Sequence, residues 1–239
     1  MKKRRVLITG GTGSVGQALV AAFAATYEVT FQFHTNTRTA DQLSAQYRVE
    51  ALKLDLRAQI AIPTPSFDVL INNAAINISS TLTHDVSLDD WNATLSVNLT
   101  APFLLIKRCL PHMIAQRWGR IINISSIYAL RGTDCNLPYS ASKHGLSGLT
   151  RSVAKEYAER GITCNEICPG AIESELMLRI ARREAPGAET DYLKAVSADI
   201  PDQRMARATE IADVVLFLAS TAAAHINGAS IPIDGGQIA

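Results

Sequence analysis

Short apolar runs alternate along this chain with longer stretches in which apolar positions recur every three to four residues. The short runs fall at Val6–Thr9, Val29–His34, Glu50–Leu54, Val69–Asn72, Arg120–Ile124, Ile162–Ile167 and Ser230–Ile233. Each has the length of a strand, and continuous apolar character suits a strand buried on both faces. Helical patterns lie between them at Ser14–Thr26, Ala40–Gln46, Leu88–Ala115, Tyr139–Arg160 and Glu210–Ser220. This alternation predicts the α/β class, as a doubly wound (Rossmann) parallel sheet of about seven strands with helices on both faces. No repeat, low-complexity tract or linker breaks it, so residues 1–239 are expected to form one domain.

The rhythm falters twice. Between Asp55 and Asp68 the stretch "LRAQIAIPTPSF" is too short and too proline-rich for a full helix, so a shortened crossover is expected. Residues 171–207 form a polar, charged excursion after the sixth strand. In an open α/β sheet that position lies at the carboxyl end of a strand, where ligands bind, so this segment is read as a substrate cover, the alternative being an ordinary surface excursion.

Composition narrows the class further. The 239 residues carry a net charge of +1 and are 47% hydrophobic, which argues for a folded chain and against nucleic-acid binding. The basic opening "MKKRR" runs straight into strand-like "VLITG" without the apolar stretch of a signal peptide, and no apolar run reaches membrane-span length. Cys164 and Cys168 share one predicted strand. Four strand residues separate their Cα atoms by roughly 13 Å, beyond disulfide reach. No Cys/His cluster has metal-site spacing, so no metal is expected, and a reduced cytoplasmic setting is the default.

"VLITGGTGSVGQALVAAF" reads as strand, glycine turn and helix, with Gly11, Gly13 and Gly16 in the G-x-G-x-x-G order of a dinucleotide site. Glycine permits the tight turn and lets the backbone approach a pyrophosphate, which then rests on the helix N-terminus. An acid that would bind a ribose 2′-hydroxyl is expected about 20 residues on. The second strand instead ends "FHTNTR", offering His34, Thr35, Asn36 and Arg38 and no carboxylate. That composition tolerates a 2′-phosphate, so NADP(H) is expected in preference to NAD(H).

The stretch "YSASK" holds two signatures that share Lys143. Ser140-x-x-Lys143 is the spacing of a serine acyl-transfer pair. Tyr139-x-x-x-Lys143 sets a phenol and an ammonium one helical turn apart, on one face. An adjacent ammonium favours the phenolate and is expected to bring the tyrosine toward the pH of efficient acid–base catalysis. No G-x-S-x-G elbow, S-D-N or K-T-G accompanies the serine, whereas the glycine turn accompanies the tyrosine.

Taken together, "TGGTGSVG", "NNAA" (Asn72–Ala75), "VNLT", "INISS", "YSASK", "CPGAIESEL" and "IPIDGG" resemble the short-chain dehydrogenase/reductase family in the same order from Val6 to Gly236. Among its subgroups the chain is most similar to 3-oxoacyl-[acyl-carrier-protein] reductases. The resemblance implies a catalytic set of Asn98, Ser126, Tyr139 and Lys143. Tyr139 would exchange the proton, Lys143 lower its pKa and bind the nicotinamide ribose, Ser126 bond the substrate oxygen, and Asn98 hold a water leading from Lys143. Gly10, Gly11, Ser14 and Gly16 would surround the phosphates, with Thr12 and Val15 beside them. Asp55 would meet adenine, Asn73 lie beside the adenosine ribose, and Pro169, Gly170 and Ile172 border the nicotinamide, with Leu56, Ala74 and Ala75 also implied to bind the cofactor. Ser14 departs from the family's middle glycine, Ala75 adds a methyl group, and the short crossover lacks most of a usual helix.

The expected activity is therefore hydride transfer between a nicotinamide and a ketone or secondary alcohol, including a 3-oxoacyl thioester. Arg117 and Arg160 stand where the resemblance implies contacts to an acyl carrier protein, though both positions also suit a solvated surface. The competing readings are an NAD(H)-dependent dehydrogenase of a specialised metabolite, a nucleotide-binding sensor or scaffold without turnover, and serine acyl transfer through Ser140. His84 and His144 match no catalytic position. The arginines of the excursion, Arg179, Arg182 and Arg183, are read as facing water. The two long helices are the family's usual pairing surfaces, so a homotetramer or homodimer is implied.

Overall fold

The computed structural model describes residues 3–57, 66–78 and 81–239. Its strands are β1 (Arg5–Ile8), β2 (Glu28–Phe33), β3 (Glu50–Lys53), β4 (Val69–Asn72), β5 (Gly119–Ile124), β6 (Ile162–Pro169) and β7 (Ser230–Ile233). They form one parallel sheet in the order β3-β2-β1-β4-β5-β6-β7. This is the doubly wound, Rossmann-like architecture expected from the alternation. The chain reverses direction across the sheet between β1 and β4, so a crevice opens outside their carboxyl ends.

Alternate strand residues feed two cores. Val6, Ile8, Val69, Ile71, Ile122 and Ile167 pack under α1 (Ser14–Ala24) and α8 (Ala208–Leu218), with Phe23 and Val215 from the helices. Leu7, Leu70, Ile121, Ile162 and Cys164 face the other way, toward α4 (Ala101–Gln116) and α5 (Leu137–Tyr157). Burying a side chain such as Phe23 or Leu105 contributes about 2 kcal/mol, so each helix is held mainly by its apolar stripe. One polar row crosses the second core: Asn72 Nδ2 donates to Asn123 Oδ1 (2.8 Å), and Asn123 Nδ2 to Thr150 Oγ1 (2.9 Å). It fixes how far α5 has slid along the sheet.

Several elements differ from the sequence expectation, each for a local reason. The second helix, α2 (Thr37–Tyr47), starts before Ala40 because the Asn36 side chain caps it, accepting from Thr39 N at 3.2 Å. The long pattern Leu88–Ala115 is not one helix. α3 (Leu88–Leu95) gives way to a π turn at Ser96–Thr100 before α4 begins. Residues 171–207 contain two helices that the charged composition hid, α6 (Glu175–Glu184) and α7 (Glu189–Ala198). Ser174 caps α6 by accepting from Met177 N at 3.1 Å. Most of the crossover expected to be short, residues 58–65, lies outside the described residues.

Candidate active site

The glycine turn and the loop after β4 are laced together at the crevice. Thr9 Oγ1 accepts from the backbone N–H groups of Asn73 (2.9 Å) and Ala74 (3.0 Å). The Asn73 side chain donates back to the carbonyls of Thr9 (2.9 Å) and Gly10 (3.2 Å). Gln32, buried at the end of β2, accepts from Gly10 N at 2.9 Å. Gly10 has φ +66°, a Cβ on Gly11 would enter the Phe31 ring, and one on Gly16 would collide with the Gly10 carbonyl. Gly13, by contrast, has room for a methyl group, so the fold itself requires Gly10, Gly11 and Gly16. The first turn of α1 has neither a side-chain cap nor an acid. Its N–H groups are left to an anion, and this cradle fits a dinucleotide pyrophosphate.

At the far end of the crevice His34, Thr35, Asn36 and Arg38 are exposed. Asp55 is engaged by His34 Nε2 (3.5 Å) and by Arg57 Nη2 (2.9 Å). Those bonds hold its carboxyl down at about 2, chiefly through Arg57. Arg57 was not anticipated from sequence, because only the fold brings the residues after β3 beside the end of β2. The Leu56 side chain packs into the second core, which leaves only its backbone for a ligand.

Ser126 follows β5 and Tyr139 opens α5. The Ser126 hydroxyl lies close enough to the Tyr139 phenol to lower its pKa, and Ser126 Oγ accepts from Tyr128 N at 3.2 Å. The Tyr128 ring meets Tyr139 edge-on, with centroids 6.5 Å apart. Lys143, only 2% exposed, extends back along α5 to place Nζ 5.4 Å from the Tyr139 ring centroid. That ammonium donates to the Ile124 carbonyl at 2.7 Å. Asn98 sits inside the π turn and is 1% exposed. Its Oδ1 accepts from Ile76 N (2.9 Å), while Nδ2 donates to Ile76 O (2.9 Å) and Ser142 Oγ (3.1 Å). The structure thus brings all four expected catalytic residues to the carboxyl ends of β4 and β5, with Asn98 tied to the loop after β4 rather than to Lys143.

The electrostatics correct one expectation. Tyr139 is not made acidic: burial pushes its phenol up to about 12, against the pull of the Ser126 hydrogen bond. Burial likewise brings Lys143 down to about 8, with the Glu166 carboxylate pulling the other way. Solvent exclusion outweighs the Ser126 hydrogen bond at Tyr139 and the Glu166 charge at Lys143. At neutral pH the site therefore presents a protonated phenol, which is a proton donor.

Elsewhere, Gly170 N donates to Ile233 O at 3.0 Å, and Ile172 forms a bridge with Ala206, so the chain after β6 borders the crevice. Ser14 Oγ accepts from Glu175 N at 3.2 Å, joining the glycine turn to the start of α6. Ala75 is exposed. Ser140 Oγ donates to Tyr128 O at 3.2 Å, which commits it to the fold and away from nucleophilic chemistry. His144 Nδ1 lies 3.0 Å from Ser140 O, and His84 pairs with Asp85 on the surface. Arg117 caps the end of α4 and donates to Glu159 O at 3.0 Å, whereas Arg160 is exposed.

This arrangement has known counterparts. A family model described as enoyl-(acyl carrier protein) reductase matches residues 11–237. An acetoacetyl-CoA reductase of Shinella zoogloeoides is 34% identical, with 98% of each chain aligned. A 3-oxoacyl-[acyl-carrier-protein] reductase of Aquifex aeolicus is 33% identical over 97% of this chain and 96% of its own. The solved structure of ElxO with NADP bound superposes with a TM-score of 0.85 at 28% identity, covering 99% of both chains.

Proposed function

This chain is an oxidoreductase of the short-chain dehydrogenase/reductase family, and on that premise we propose that it reduces a ketone with NADPH, the preferred substrate being a 3-oxoacyl thioester. The observation that carries this reading is the meeting of the Ser126 and Tyr139 hydroxyls beside the Lys143 ammonium, at the mouth of the glycine-turn crevice. A bound nicotinamide dinucleotide supplies the hydride. Ser126 and Tyr139 hold the carbonyl oxygen and stabilise the charge that grows on it. The Tyr139 Oη proton then moves to that oxygen, and the Lys143 ammonium offsets the phenolate left behind. A phenol raised to about 12 stays protonated at neutral pH, so its proton is available for the reductive direction.

The test is NADPH oxidation across a panel of ketones that includes acetoacetyl thioesters. Turnover is expected, and it should fall as pH rises through about 8, where Lys143 loses its charge. Tyr139→Phe should abolish turnover while NADPH binding, followed by fluorescence, survives. Ser140→Ala should be mild. Full activity in the Phe variant would sink the scheme.

The NADPH preference rests on Arg38 and His34 at the end of β2, and on the absence of a free carboxylate among the described residues there. Arg38→Ala is expected to lower kcat/KM for NADPH by about tenfold, the worth of one charge-assisted contact, while NADH changes little. We further propose that residues 1–239 act as one domain, and that α6 and α7 cover the substrate. Exposed Phe103 of α4 (46%) and Leu137 of α5 support assembly into a homotetramer or homodimer, which light scattering would reveal. All four cysteines are free, in keeping with a reducing cytoplasm.

A further inference from the structure

Glu166 is wholly buried (0% exposed) in the middle of β6, where the mechanism above gives it no part. Its strand neighbours Cys164 and Ile162 belong to the core beneath α4 and α5, so by alternation Glu166 also faces α5. In register it lies between Asn123 of β5 and Ser230 of β7. Asn123 is bonded to Thr150 of α5, and Ser230 Oγ accepts from Arg151 Nη2 of α5 at 3.2 Å. Glu166 Oε1 accepts from Ser230 Oγ at 2.5 Å, and Oε2 has no hydrogen-bond partner. Lys143 approaches the same layer from α5, bonded to Ile124 O one residue beyond Asn123. Lys143 and Arg151 stand eight residues apart on α5, about 12 Å along its axis, and the carboxylate lies beneath this stretch.

A buried carboxylate with one bare oxygen is costly unless a cation answers it. We propose that Glu166 is a positioning residue for the reduction, holding the buried Lys143 ammonium charged and in place from the sheet side, with Ser230 and Arg151 linking it to the surface. This inference rests on the reading of Lys143 as part of the reaction centre. The groups facing Glu166 are Lys143 and Arg151 of α5, Cys164 and Cys168 along β6, Asn123 of β5 and Ser230 of β7. Burial and the carboxylate both push the two thiols up, so they stay neutral across the assay range. The carboxylate raises the Lys143 midpoint against the lowering by burial.

The experiment is an NMR titration of Lys143, assigned by its loss in Lys143→Arg, run beside the pH profile of kcat/KM. In Glu166→Gln the Lys143 midpoint should fall by about one unit, and the alkaline limb of turnover should move down with it. Glu166→Asp, which keeps the charge but draws it back, should lower the midpoint by less than half as much. An unmoved midpoint in the Gln variant overturns the proposal, as does an active Gln variant whose alkaline limb stays put. If the Gln variant does not fold, the Asp variant decides: an unmoved or raised midpoint overturns the link. A midpoint that moves while the wild type turns over no ketone supports the link and tells against the reductase reading instead.

Discussion

Lys143 concentrates the conflict between stability and chemistry in one side chain. Its proton is held at about 8 rather than the ordinary 10.5, because burial disfavours the ammonium. Each unit is worth about 1.4 kcal/mol, so below pH 8 the folded protein bears a cost of about 3 kcal/mol. That cost shrinks as pH rises from 8 and is gone above 10.5. Lys143→Met should therefore raise stability to denaturant by up to about 3 kcal/mol at pH 7, with the gain fading through that window, while turnover is lost. The tyrosine–lysine spacing was legible in "YSASK", and so was the face the two residues share. The direction of the tyrosine's shift was not, because spacing reports a neighbouring charge and says nothing of excluded water. Glu166 was silent for the same reason: in "ITCNEICPG" a lone acid in a strand looks like a solvated position until the pairing of β7 seals it in.

At the scale of elements, the π turn at Ser96–Thr100 sets the position of the loop after β4. It turns Asn98 inward so that one amide satisfies both backbone groups of Ile76 and the Ser142 hydroxyl. Asn98→Ala would strand these buried groups, and urea unfolding should report a loss of about 3 kcal/mol. The sequence marked Asn98 only through the resemblance, since Leu88–Ala115 keeps its helical period straight across the turn. The strands and α1, α5 and α8 could be read closely because their apolar periods are uninterrupted. α6 and α7 escaped because they lie on the rim: apart from Ala181, neither contributes a buried residue, and their many charged residues make the whole stretch read as a polar excursion.

For the molecule as a whole, the excursion after β6 is moored at its far end by charge. Glu210, in the first turn of α8, accepts from Arg204 at 2.8 Å and from the Arg207 backbone at 2.8 Å, which holds its carboxyl down at about 2 instead of 4.5. A depressed carboxyl contributes stability in full above pH 4.5 and loses it as pH falls toward 2. The gap in Tm between wild type and Glu210→Gln should follow that course, and high salt should narrow it because the pair is exposed. The near end of the same excursion is moored differently, by backbone bonds of Ala171 and Glu173 with Ala206 and by the Ser14 hydroxyl, which receives Glu175 N. Under the proposed function α1 would present its N–H groups to a phosphate and α6 would cover the substrate, and these two helices begin on a common pin. A ligand that tugs the first must be felt by the second. Coenzyme should consequently load before ketone in product-inhibition kinetics, and Ser14→Gly should relax that sequence toward random order.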